Sequence, residues 1–213
     1  MRFDNGIDKK YRKSVEDALA TIIEKGNDLH RLTTNEILES ELLVRVEPVT
    51  KVKASGRTGL ASAIAANIRL VRERVSLREA LGEICITIAE ETIDTGGQRG
   101  CEGTFVHEGR HAYDFARTLA SLSDADVNPL AVFNPTLYEL EWEAHKTAGD
   151  YMLCIGKQEY LDEGLQLMIL GLDADGSYFV SDEGIRQRLR DIYGLALDAN
   201  QGRLASEIIG IIV

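Results

Sequence analysis

Apolar positions recur at helical spacing in some segments of the chain and alternate with polar ones in others. Tyr11, Val15, Ala18, Leu19 and Ile22 share one face and predict an amphipathic helix over 8–25. Thr34, Asn35 and Glu36 predict the opening of a short second helix toward Leu42. The run Leu43–Glu47 alternates and stops at Pro48, as a strand does. Polar, glycine-containing residues from Lys51 to Gly59 predict a loop. Residues 60–82 fit either a helix from Ser62 to Arg74 or a strand from Ile68 to Val75. Ile84–Ile88 is the clearest strand, followed by an acidic turn at Glu90 and Glu91 and a glycine-rich loop over 94–100. Phe105, Ala112, Phe115, Ala116, Leu119 and Leu122 mark the apolar stripe of a further helix.

A second long stripe comprises Leu137, Leu140, Ala144, Ala148, Tyr151 and Ile155. Thr136 predicts its N-cap, Glu139 completes a capping box, and Gly156 ends it. Glu159 to Leu172 predicts another helix, Asp173–Ser177 a turn into Tyr178–Val180, and Ser181 to about Leu197 a last helix. The apolar end Ile208–Val213 predicts packing on the core or on a partner.

Chemistry enters at Val106–Ala112. His107 and His111 stand four residues apart, on one face of the helix and one turn from each other. That spacing lets two imidazoles reach one zinc ion at about 2.0–2.1 Å, with Glu108 between them placed to act on water in the same cleft. Gly109 inside the helix suggests a close backbone approach.

Catalytic zinc takes three protein ligands and leaves a position open. Glu139, Glu141 and Glu143 compete for the third place. At about 100° per residue, Glu141 falls inside the apolar stripe, while Glu139 and Glu143 fall on the solvent side. A carboxylate on a core-facing stripe needs a partner, so Glu141 predicts either a metal ligand or one half of a buried ion pair with an arginine. Asp114 is placed to orient a histidine or to lie on the helix surface. His145 is placed as an oxyanion donor, a supporting residue or a surface residue.

Over about residues 100–156 the pattern His107-Glu108-x-x-His111 followed by Glu141-x-x-Ala144 resembles the minimal gluzincin metallopeptidases, and is similar to the zincin core of the ImmA/IrrE-like peptidases. The resemblance implies zinc held by His107, His111 and Glu141, and Glu108 as general base for a zinc-activated water. His145, Tyr113, Tyr138 or Tyr151 would steady the oxyanion. It implies an α+β fold: a zincin-like core with the HExxH helix, a second glutamate-bearing helix and a small sheet. That sheet would carry an edge strand to hold a peptide or polypeptide substrate, with 84–93 the candidate; an interior strand is equally compatible with those residues. The pattern along the chain predicts one compact α+β domain, with residues 1–42 a helical N-terminal extension or part of the same domain and 43–213 the metallopeptidase domain. His145 stands where many such enzymes carry a small acid that steadies a zinc histidine. The alternatives are a non-hydrolytic zinc-bearing interaction or regulatory module, or a delivered effector or toxin protease.

A net charge of −11 argues against nucleic-acid binding, and no run reaches the length of a membrane span. The three cysteines, Cys85, Cys101 and Cys154, are odd in number and lack Cys-x-x-Cys spacing. Together with an N-terminus that has no apolar signal region, they predict a reduced, cytoplasmic protein.

Overall fold

The computed structural model describes residues 1–62, 74–123, 128 and 131–211. Both readings offered for residues 62–75 fall mainly outside this range, as do the last two residues of the apolar end.

The chain folds as a mixed α+β protein. Strand β1 (Arg2–Phe3) precedes α1 (Lys9–Lys25) and α2 (Asp28–Leu38). Then come β2 (Leu43–Glu47), the short α3 (Val49–Val52), β3 (Gly56–Leu60), α4 (Leu77–Gly82) and β4 (Ile84–Ala89). The long helix α5 runs from Glu90 to Ser123 and α6 from Leu137 to Ile155, with α7 at Gln158–Gln166. A hairpin of β5 (Leu170–Leu172) and β6 (Tyr178–Val180) leads to α8 (Asp182–Arg188), a π-helical turn at Leu189–Tyr193 and α9 (Ala205–Ile208).

The main sheet has the order β1-β2-β4-β3. The first three strands are parallel and β3 runs antiparallel to β4, pairing Gly56 with Ile88 and Leu60 with Ile84. Ile84, Ile86 and Ile88 are wholly buried and turn one face of β4 into the core. Helix α5 packs on β3 and β4 of this sheet, and α1 and α6 pack against α5.

Several expectations change. Strand β4 lies between β2 and β3, so of the two placements open to 84–93 it takes the interior one; among the described residues the sheet's edges are β1 and β3, the latter in the segment expected to be a loop. A five-residue strand with two glycines shows no apolar alternation, and its pairing with β4 decides its conformation. The acidic turn and loop expected at 90–100 are helical, because α5 starts directly at Glu90 and breaks only at Gly97 (φ 58°, ψ −146°). That backbone combination is open to glycine almost alone. Helix α2 begins earlier than expected, where Asn27 caps the His30 amide at 3.1 Å. Beyond Gln166 the expected helix gives way to the β5–β6 hairpin, and Gly194 in the left-handed region closes the last helix short of Leu197. The Thr136–Glu139 capping box and the Gly156 stop are as expected. Ile209 and Ile211 of the apolar end are buried. Among the described residues, no helix is long and apolar enough to cross a membrane.

Candidate metal centre

Helices α5 and α6 run antiparallel, so that His107 and His111 of one meet Glu141 of the other. The two histidine Nε2 atoms lie 3.1 Å apart. Glu141 Oε2 is 3.5 Å from His107 Nε2, and Oε1 is 3.5 Å from His111 Nε2. Ligands at about 2.0–2.1 Å from a tetrahedral ion are spaced by about 3.3 Å. The three side chains therefore already stand near the edges of a coordination tetrahedron, and among the described residues they form the group able to hold a metal ion. Glu141 Oε2 is buried with no hydrogen-bond donor, the condition of a carboxylate oxygen that a cation would satisfy. Two imidazoles and one carboxylate are a donor set that zinc accepts, so the residues fit the ion.

Electrostatics follow from this proximity. Burial pushes the Glu141 carboxyl up, but His111 and His107 outweigh it and hold its pKa well below the ordinary range. Burial disfavours a charge on His111, yet Glu141 leaves its pKa raised.

Glu108 is buried between this cluster and the sheet edge. The Thr58 hydroxyl of β3 donates to Glu108 Oε2 at 2.7 Å and lies 3.0 Å from the Glu108 carbonyl oxygen. Such an approach needs glycine two residues earlier. A Cβ on Gly56 would stand 2.5 Å from Thr104 Cγ2 and 2.8 Å from Glu108 Cγ. The close approach is thus at Gly56; Gly109, suspected from the sequence, has room for a methyl group at ordinary contact distance from Ile37.

His145 is buried with its ring centroid 4.7 Å from that of His107 and its Nε2 3.9 Å from Glu141 Oε2. That nitrogen has no hydrogen-bond partner. Burial, with His107 beside it, lowers its pKa to about 2, so the ring is neutral. Tyr193 packs its ring edge-on to His145 at 5.8 Å. Burial and then Glu141 raise its pKa, so the hydroxyl keeps its proton.

A groove of about 590 Å³ runs along α5 from Gly96 to Glu108, between the start of β3 and the region of α6, α8 and the π-helical turn. His107, Glu108, His145 and Tyr193 all line it. A larger hollow of about 720 Å³ beside the N-terminus contains no histidine or cysteine.

Other predicted participants lie elsewhere. Asp114 does not orient His111: it accepts from Arg110 Nε at 2.7 Å, and His111 Nδ1 has no partner. An arginine one turn back on the same helix competes successfully for its carboxylate. Tyr151 is wholly buried and donates to Glu102 at 2.7 Å, while Tyr138 stacks on Trp142, so neither is free to reach the groove. Tyr113 does not line the groove. Glu139 serves the helix cap, and Glu143 lies 3.4 Å from Arg110. Cys101 is buried against the Ser14 carbonyl, and burial pushes its thiol up to about 12. Sequence reasoning did not single out Thr58 or Tyr193, because each reaches the centre through a distant segment with no local motif.

Comparison of the chain with protein-family models, with curated proteins and with solved structures found no match.

Proposed function

We propose that the protein is a zinc-dependent metallopeptidase of gluzincin type, hydrolysing peptide bonds of a polypeptide or peptide substrate. The observation that carries the reading is a three-ligand cluster, His107, His111 and Glu141, beside an open groove with Glu108 at its wall. A structural zinc site uses four ligands and is closed. Here His145 lines the groove and stands outside the three-ligand group, which supports a hydrolytic centre over an interaction module.

His107, His111 and Glu141 would hold the ion, which when bound supplies Lewis-acid polarisation and more acidic water at neutral pH. Glu108 accepts a proton from the attacking water on its carboxylate and passes it to the leaving amine nitrogen. Thr58 keeps that carboxylate oriented through its 2.7 Å hydrogen bond. Neutral His145 and protonated Tyr193, which line the same groove, are the two donors for charge developing on the carbonyl oxygen. The free side of β3, an edge strand among the described residues, can pair with an extended substrate.

The test compares wild type with Glu108→Gln by elemental analysis and by mass-spectrometric detection of cleavage in a mixed peptide library. Expected are about one zinc per chain in both proteins, cleavage by wild type, and a fall of roughly 10²- to 10⁴-fold in the variant. Zinc-loaded wild type that cleaves nothing, or a variant as active as wild type, would overturn the reading.

A further inference from the structure

Among the described residues, the charged side chains that line the groove are engaged, with one exception. Glu91 accepts the Val49 amide at 2.7 Å. Glu163 is held by Arg99 at 2.6 Å. Glu108 takes the Thr58 hydroxyl, and Glu141 faces the two histidines. Arg188, which also lines the groove, has a buried Nε with no partner. Its Nη1 makes only a long 3.4 Å contact with the Leu167 carbonyl. The arginines on either side behave differently: Arg186 and Arg190 both pair with Glu183 at the surface, at 3.4 and 3.3 Å.

Arg188 is the last residue of α8, and that helix is set firmly. Ser181 Oγ caps the Gly184 amide at 3.0 Å. A Cβ at Gly184 would fall 2.0 Å from the Met168 carbonyl oxygen, so only glycine lets the helix sit this close to the hairpin. Arg188 lines the same groove as His145 and Tyr193, the two oxyanion donors of the proposed mechanism.

A half-buried guanidinium with unused donors is costly, and its planar fork matches a carboxylate. We propose that Arg188 sets the substrate preference of this groove by binding a peptide carboxylate near the scissile bond, either a free C-terminus or an Asp or Glu side chain. The assignment rests on the peptidase reading of the groove.

The test measures binding of dye-labelled peptides to zinc-loaded Glu108→Gln protein by fluorescence anisotropy. Matched pairs differ only in a C-terminal acid or amide, or in an internal Glu or Gln. One acidic member should bind roughly 10- to 100-fold more tightly than its neutral twin. The pair showing the difference identifies the source of the carboxylate. Adding Arg188→Met should abolish the difference and leave the neutral twin's Kd unchanged, while Arg188→Lys should restore part of it. Equal Kd values within both pairs, or a difference that survives Arg188→Met, would overturn the assignment. Wild type cleaving acidic and neutral twins alike would sink the Arg188 role and keep the peptidase. Arg188-dependent binding without cleavage by wild type would do the reverse.

Discussion

Two carboxylates, one buried and one nearly so, lie between the same pair of helices and are treated in opposite ways. Glu102 of α5 is 1% exposed, and its Oε2 accepts hydroxyls from Tyr151 and Tyr160, each at 2.7 Å. Further along the same pair, Glu141 of α6 faces two imidazoles at 3.5 Å and leaves Oε2 without a donor. Two buried histidines repeat the contrast. His30 uses both ring nitrogens, Nδ1 accepting from the Asn27 amide at 3.0 Å and Nε2 donating to the Thr147 carbonyl at 2.9 Å. His145 leaves Nε2 unused. A buried polar group that is fully partnered ties elements together; one held in place without a partner keeps binding capacity for something else. The first node ties α5, α6 and α7 together.

The contrast can be broken most sharply at the two glutamates. Glu141→Ala should reduce zinc from about one per chain to nearly none by elemental analysis, with the metal-free melting temperature at pH 8 almost unchanged. Zinc retained in this variant would send the third ligand elsewhere.

Glu102→Ala should do the opposite. Two tyrosine hydroxyls lose their buried acceptor, a loss of about 3–5 kcal/mol, or roughly 10 °C in melting temperature. Zinc stoichiometry in the folded fraction should persist. Glu102→Gln keeps an acceptor oxygen and should lose less.

A smaller effect is expected at the sheet edge. Gly56→Ala forces β3 away from Thr104 and Glu108, costing about 1–3 kcal/mol by thermal melting. It should lower peptide cleavage while zinc content stays constant. Unchanged cleavage would show that the Thr58–Glu108 contact does not matter.

The smallest effect concerns pH. Burial lowers the His30 pKa, so between its folded value and the ordinary value of about 6.5 the unfolded chain binds the extra proton. The contribution of neutral His30 is complete above that ordinary value and is lost as the pH falls below it. Urea melts of metal-free protein from pH 7.5 to 5 should show stability declining on acidification, with a shallower decline in His30→Gln. Equal slopes would remove His30 as the cause.

Much of the centre was legible locally because helical spacing is a local property. The interval from His107 to His111 and the position of Glu141 within an apolar stripe need only the geometry of a single helix. The Thr136–Glu139 cap, the β2 and β4 strands and the Gly156 stop are local in the same sense. What tertiary structure alone decided is which distant segments meet there. The glycine-containing segment 56–60 became a strand, at an edge among the described residues, through its pairing with β4, and the interior place of β4 followed from the same pairing. Asp114 went to Arg110 because a neighbouring cation outcompeted an imidazole. Arg188 and Tyr193 reached the groove through the packing of α8 on a hairpin. Residue periodicity encodes which face of an element is apolar; it carries no information on which other element will cover that face, because that depends on contacts between segments far apart in the chain.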